Sequence, residues 1–217
     1  NVERSLTGRR WAARLADERL AMAMAQRHGL PDAICRLLAA REVDLEAVPD
    51  FLEPTLRKFL PDPSHLKDMD AAVERLVRAV KAGEKIVVFG DYDVDGVTAT
   101  SILWYCLRLA NATVDYYIPH RMEEGYGLNC DAIRQLHEED PQRLVVTVDC
   151  GISSVTEAAL AKELGLELVI TDHHEMGAEL PPAACLVHPR LPGSTYPFGQ
   201  LCGAGVAFKL AWGICQR

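Results

Sequence analysis

Residues 85–100 read KIVVFGDYDVDGVTAT, and this stretch decides the fold. Lys85 to Phe89 is a short apolar run rich in β-branched side chains, the signature of a buried strand. Gly90 and Gly96 bracket a turn that carries Asp91, Asp93 and Asp95, and both glycines let the backbone pack closely around it. Apolar sequence then resumes as GVTATSILWYCLRLA, long enough for a helix rather than a second strand. The same alternation continues outward in both directions. The stretches TVDYYI (113–118), RLVVTV (143–148), LELVIT (166–171) and a weaker ACLVH (184–188) read as strands. The stretches LKDMDAAVERLVRAVKAG (66–83), CDAIRQLHEE (130–139), SVTEAALAKELG (154–165) and GAGVAFKLAWGICQ (203–216) read as helices. Strands alternating with helices predict an α/β fold, a doubly wound and mainly parallel sheet.

Upstream the pattern is purely helical. One amphipathic helix is expected through Trp11, Leu15, Leu20 and Met24, stopping at Gly29. A second opens at Pro31 and packs Ile34, Leu37 and Leu38 on one face. Pro49, Pro54, Pro61 and Pro63 punctuate a connector. The expected division is therefore residues 1–60, a short helical N-terminal segment and connector, and residues 61–217, the α/β domain.

The 217 residues carry a formal net charge of −8. That counts against a general nucleic-acid binder, which advertises itself by excess positive charge. A site holding two divalent cations must itself be rich in carboxylates, and the bound ions reverse its local sign, so the objection weakens. Seven cysteines are present without a CxxC pair; they read as small buried hydrophobes of a reducing cytoplasm rather than as a zinc site. There is no membrane-length apolar run and no signal peptide. The sequence starts without Met and reads as a trimmed chain.

In an open parallel sheet, ligands bind outside the carboxyl ends of the strands. The residues directly after each strand are therefore decisive. Gly90 to Gly96 stands after the first, Pro119-His120-Arg121 after the second, Asp149-Cys150-Gly151 after the third and Asp172-His173-His174 after the fourth. A single Asp there usually caps the next helix, and Asp95 and Asp149 each have that reading. Three alternating carboxylates are harder to explain, because like charges so close destabilise one another unless a cation neutralises them. Carboxylates with imidazole and no thiolate suit Mn²⁺ or Mg²⁺, and a carboxylate able to bridge suggests a two-metal hydrolase. The GDYDVDG turn is not a P-loop, since it lacks the Gly-Lys-Ser/Thr ending.

With these residues in view, the sequence resembles the DHH phosphoesterase superfamily and, within it, the single-strand-specific exonucleases. VVFGDYDVDGVTATSIL is similar to the first family motif, VTVDCGIS to the second and VITDHHEMG to the third. YIPHRMEEGYGL, LCGAGVAFKL, FLEP and Asp68-Met69 resemble stretches particular to the exonuclease branch. The likeness covers Phe51 to the end. It implies a 5′-to-3′ exonuclease that releases mononucleotides from single-stranded DNA in recombination and repair, with Mn²⁺ or Mg²⁺. By position, Asp93, Asp95, Asp149 and His173 are the implied ligands, Asp149 bridging, with Asp91 a neighbour or extra ligand. Catalysis is assigned to Asp149, His173 and His174, the last supporting the site or meeting the phosphate. Arg121, Tyr126 and Gly127, within the Gly125–Gly127 loop region, are implied to face nucleic acid. Single-stranded DNA is the implied partner, with a single-strand-binding protein and a recombination helicase as protein partners.

Two positions depart from the family. Phe89 stands where many members carry a first-motif His, and His188 where the exonuclease branch often carries Asn. A later family Asp ligand has no counterpart before Arg217, so the chain reads as an N-terminal fragment with a weakened second metal site. Two other functions compete: a superfamily enzyme acting on pyrophosphate, oligonucleotides or cyclic dinucleotides, and a non-catalytic module that keeps the fold without metals. His28, His65 and His137 read as surface or capping residues; His120, at the active edge, is a closer case. Trp104, Tyr105, Tyr116 and Tyr117 are expected to fill the core. Stacking of a base on Tyr92 or Tyr126 is a minority reading. Arg4, Arg9, Arg10 and Arg14 read as a solvated face.

Overall fold

A computed structural model describes residues 2–12, 14 and 18–217, the side chain of residue 57 excepted. It divides into two compact units, Asn1–Leu60 and Pro61–Arg217.

The first unit is helical. It contains α1 (Arg19–His28), α2 (Asp32–Ala40), α3 (Val48–Leu52) and α4 (Leu56–Phe59). Helix α1 ends at Gly29, which takes a left-handed φ of 64° and donates its amide to Ala25 O, the usual reason a glycine follows a helix. Two expectations need correction. The helix does not reach back to Trp11, which instead pairs with Val2 in an isolated antiparallel bridge and is exposed; Leu15 lies outside the described residues. On α2 the buried side chains are Cys35, Leu38 and Ala39, while Ile34 and Leu37 are exposed. Both stripes have helical spacing. The face with the smaller residues packs with Ala21 and Met24 of α1, because Cys and Ala permit close approach.

The second unit begins with α5 (Met69–Ala82) and β1 (Lys85–Phe89), continuing through α6 (Val94–Leu109), β2 (Thr113–Tyr117), α7 (Cys130–Glu139) and β3 (Leu144–Val148). It ends with α8 (Val155–Leu164), β4 (Glu167–Thr171), β5 (Cys185–Val187) and α9 (Gly203–Cys215). All strand pairings are parallel, in the order β2-β1-β3-β4-β5. Alternation along β1 splits its side chains between the two faces. Ile86 and Val88 meet α5, α6 and α9 in one core; Val87 and Phe89 meet α7 and α8 in the other. The sheet is thus doubly wound, with strand order reversing between β1 and β3. A cleft opens at such a switch point, at the carboxyl ends of the strands.

The edge strand β2 explains a further correction. Tyr105 and Tyr116 are exposed rather than buried. They join half-buried Trp104 in a surface aromatic cluster, with centroids 5.0 and 6.3 Å from its ring. A strand with a neighbour on one side only, leaving α6 to cover part of its face, cannot enclose such large rings. Of the cysteines, Cys35, Cys150 and Cys185 are buried, whereas Cys202 and Cys215 sit exposed at the two ends of α9. Among the described residues, no helix is long and apolar enough to cross a membrane.

Candidate metal centre

The turn after β1 is held by its own carboxylates. Asp93 is the N-cap of α6 and accepts the Gly96 amide at 2.9 Å, a role the sequence offered to Asp95. Asp91 is buried and accepts the Tyr92 amide at 2.8 Å. A side chain at Gly96 would lie 2.6 Å from the Asp91 Cβ, so the tight turn requires glycine there. Asp95 points elsewhere. Its two oxygens accept the Gly203 and Ala204 amides, each at 2.8 Å, at the start of α9.

Asp149, directly after β3, is the centre of the arrangement. It is 1% exposed and adopts a left-handed φ of 62°, a conformation that Asp tolerates better than most residues but at some strain. Neither carboxylate oxygen has a hydrogen-bond partner among the described residues. His173 Nε2 stands 3.0 Å from Asp149 Oδ1 without hydrogen-bond geometry, and 3.4 Å from Asp95 Oδ2. Two groups held by one ion at right angles, each about 2.1 Å from it, would be separated by about 3 Å. Ligand-capable atoms of Asp91, Asp93 and Asp149 lie within 4.8 Å of one another, and so do those of Asp149, His173 and His174. Asp149 belongs to both groups.

The electrostatics follow from this crowding. Burial, then the charge on Asp95, push the Asp149 carboxyl up to about 7. Burial also raises Asp91. An orphaned buried carboxylate surrounded by like charge is unfavourable unless a cation joins it, and the donor set of oxygens with imidazole fits Mn²⁺ or Mg²⁺. Burial and neighbouring His174 lower His173, favouring the neutral ring a ligand must have. His174 behaves oppositely: its Nδ1 bonds Asp172 Oδ1 at 2.8 Å, which lifts it to about 9. Asp172, which stands with His173 and His174 after β4, is a buried organiser beside the centre. It accepts the amides of Ile152, His173 and His174 as well as the His174 ring.

The loop after β2 closes one side. Tyr126 Oη lies 3.3 Å from His174 Nε2, and its ring meets Tyr92 edge-on with centroids 6.3 Å apart. The Arg121 guanidinium sits 5.2 Å above the Tyr92 ring. Gly127, with φ 71°, lets this loop pass Cys150. Glu124 staples the loop by accepting the Tyr117 hydroxyl and, at 2.6 Å, the His120 amide. His120 itself is exposed.

Phe89 is fully buried and stacks on Tyr117 at 5.1 Å. Its side chain faces the α7–α8 core, and Asp91 occupies the space beside Asp93. His188 is also buried. Its Nδ1 accepts the Arg190 amide at 3.0 Å, so its Nε2 donates to His174 O at 2.8 Å. Arg190 in turn donates to His173 O at 2.8 Å. These two residues brace the histidine loop. Sequence reasoning gave neither a role, nor one to the Gly203 and Ala204 amides; the signals were the polar His188-Pro189-Arg190 run after a strand and the glycine pair in LCGAG.

The pattern of the DHH family, N-terminal domain, matches residues 85–217. The single-stranded-DNA-specific exonuclease RecJ of Bacillus subtilis (strain 168) is 44% identical over 203 residues, covering 93% of this chain and 26% of that protein. The protein of the same name from Escherichia coli (strain K12) is 39% identical over 182 residues, 83% of this chain and 31% of its own length. Among solved structures, exonuclease RecJ bound to manganese matches with a TM-score of 0.64 at 41% identity, over 70% of this chain and 38% of that one. RecJ from Thermus thermophilus in complex with Mn²⁺ matches with a TM-score of 0.74 at 30% identity, over 94% of this chain and 28% of that one. The chain thus spans about a quarter to a third of the length of these curated relatives.

Proposed function

Because the chain belongs to the DHH family, we propose that it carries the metal centre of a single-strand-specific DNA exonuclease, which hydrolyses phosphodiester bonds from the 5′ end and releases mononucleotides in recombination and repair. The observation that carries this reading is the meeting at Asp149 of two groups, one of carboxylates with Asp91 and Asp93 and one of carboxylate and imidazole with His173 and His174; the buried Asp149 oxygens have no hydrogen-bond partner among the described residues. The relatives supply the substrate class, since those of 38–44% identity are named for single-stranded DNA.

Asp91, Asp93 and Asp149 would hold one Mn²⁺ or Mg²⁺, and Asp149 with His173 a second, Asp95 standing beside His173. Bound there, the ions would lower the pKa of a water and neutralise charge on the phosphate oxygens. The remaining chemistry belongs to the chain. His174, protonated by its bond to Asp172, presents Nε2 as a charge-assisted donor to a phosphate oxygen. Arg121 offers a second cation to the nucleic-acid backbone, and Tyr92 and Tyr126 offer ring faces to a base. The protein partners, on this reading, are those that coat or expose single strands in the cytoplasm, a single-strand-binding protein and a helicase.

The test uses 5′-labelled single-stranded and duplex oligonucleotides with Mn²⁺. Labelled mononucleotide should appear from the single strand alone. Equal digestion of both forms, or preference for pyrophosphate or cyclic dinucleotides, would overturn the assignment. An inability to bind Mn²⁺ would favour a non-catalytic module.

A further inference from the structure

We infer that the first turn of α9 is a working wall of the metal centre, in which Gly203 is a positioning residue and Asp95 the peg that seats it. This rests on the metal-site reading above. Three observations carry it. Both Asp95 oxygens are occupied by consecutive amides of α9, from Gly203 and Ala204, across more than a hundred residues of sequence. The position of a side chain on Gly203 falls on the Asp149 carboxylate, with its Cβ only 2.5 Å from Asp149 Cγ and 2.7 Å from Asp149 Cβ. Asp149 is the residue common to both ligand groups. The helix start therefore touches two carboxylates of the centre at once, Asp95 by donating to it and Asp149 by leaving room for it.

The physical logic is electrostatic and steric together. A helix N-terminus presents unpaired amides and the positive end of the backbone dipole. Set against Asp95, it offsets part of the repulsion among the clustered acids and fixes which way Asp95 faces. Any side chain at position 203 would push Asp149 out of its left-handed, orphaned pose, or push α9 off Asp95. Either displacement changes the spacing of the ligand atoms without removing one. Groups that orient ligands from behind commonly influence metal affinity about 10–100-fold.

Helix α9 contains its own controls. Gly205 and Gly213 are also crowded, though less tightly than Gly203, and against the side chains of Leu201 and Val73 respectively, each 2.6 Å from a would-be Cβ. Neither contact involves a ligand. Gly203→Ala, Gly205→Ala and Gly213→Ala should be compared in the full chain for Mn²⁺ affinity, read by electron paramagnetic resonance of the free ion, and for thermal midpoint without metal. Gly203→Ala should weaken Mn²⁺ binding at least about tenfold, while the two controls bind as the parent does even where they lower the midpoint. Equal losses in all three, or parental affinity in Gly203→Ala, would overturn the inference. A parent chain that binds no Mn²⁺ overturns the underlying metal reading instead. The peg is tested separately and without metal: Asp95→Asn should speed hydrogen exchange at the Gly203 and Ala204 amides. Unchanged exchange there removes Asp95 as the seat of α9, whatever the fate of Gly203→Ala.

Discussion

Replacing Asp149 by Asn should make the metal-free protein more stable while abolishing its response to metal. Asn retains the volume of Asp and shares its tolerance of the left-handed φ of 62° at this position. The substitution removes an ionised group. The carboxyl of Asp149 is displaced from 3.8 to about 7, mainly by burial. At ~1.4 kcal/mol per pKa unit this corresponds to about 4 kcal/mol opposing the charged form. Water reaching the half-exposed neighbours His173 and His174 screens part of it, which leaves about 2 kcal/mol. For a domain of this size each kcal/mol moves the thermal midpoint by about 2–4 °C, so Asp149→Asn should gain about 4–8 °C in EDTA at pH 8.

The sign comes from proton counting. Between about pH 4 and pH 7 the folded chain holds the Asp149 proton and the unfolded chain does not, so the parent loses stability as pH rises through that window. The advantage of Asn should therefore vanish at about pH 4. Scanning calorimetry of both proteins at pH 4, 6 and 8, with EDTA or Mn²⁺, separates the proton effect from the metal effect. Mn²⁺ should raise the midpoint of the parent only, because a ligand stabilises the state that binds it. A variant that is less stable than the parent in EDTA at pH 8 would falsify the account of Asp149 as a strained, cation-awaiting carboxylate, and one that still responds to Mn²⁺ would remove it from the centre.

Mn²⁺ affinity should weaken about tenfold per pH unit below about 7, where a proton competes for Asp149, and level off above it; calorimetric titration at four pH values checks this. Asp172→Asn should lower the titration of His174 from about 9 toward its ordinary range, visible in the imidazole proton resonances, and should weaken single-strand binding above neutral pH. Phe89→His should add no metal site, since that side chain faces the α7–α8 core against Tyr117; it should instead cost about 2–3 kcal/mol in urea unfolding, with Mn²⁺ stoichiometry unchanged. Arg121→Ala should raise KM for single-stranded DNA more than it lowers kcat, read from initial rates over a range of oligonucleotide concentrations.

The sequence by itself determined the alternation of strands and helices, because the periods of 2 and 3.6 are local properties of the chain. It also determined that acids and histidines stand at the carboxyl ends of strands, since each comes directly after its strand. Tertiary structure decided what each of them does. Asp93 rather than Asp95 caps α6, because capping depends on where the helix starts, and α6 starts at Val94, two residues before the glycine from which apolar sequence resumes. Asp95 turned out to face α9, an element far away in sequence, and no spacing rule reports an amide donor at such a distance. Phe89 was legible as a departure from the family, but only the pleat of β1 shows which core receives it. Tyr105 and Tyr116 were misplaced for a similar reason: edge position is a property of strand order, and strand order is fixed by the packing of the whole sheet. The glycine at 203 is the sharpest case. In sequence it opens a helix; in space it is the gap that lets Asp149 stand where two groups of ligands meet.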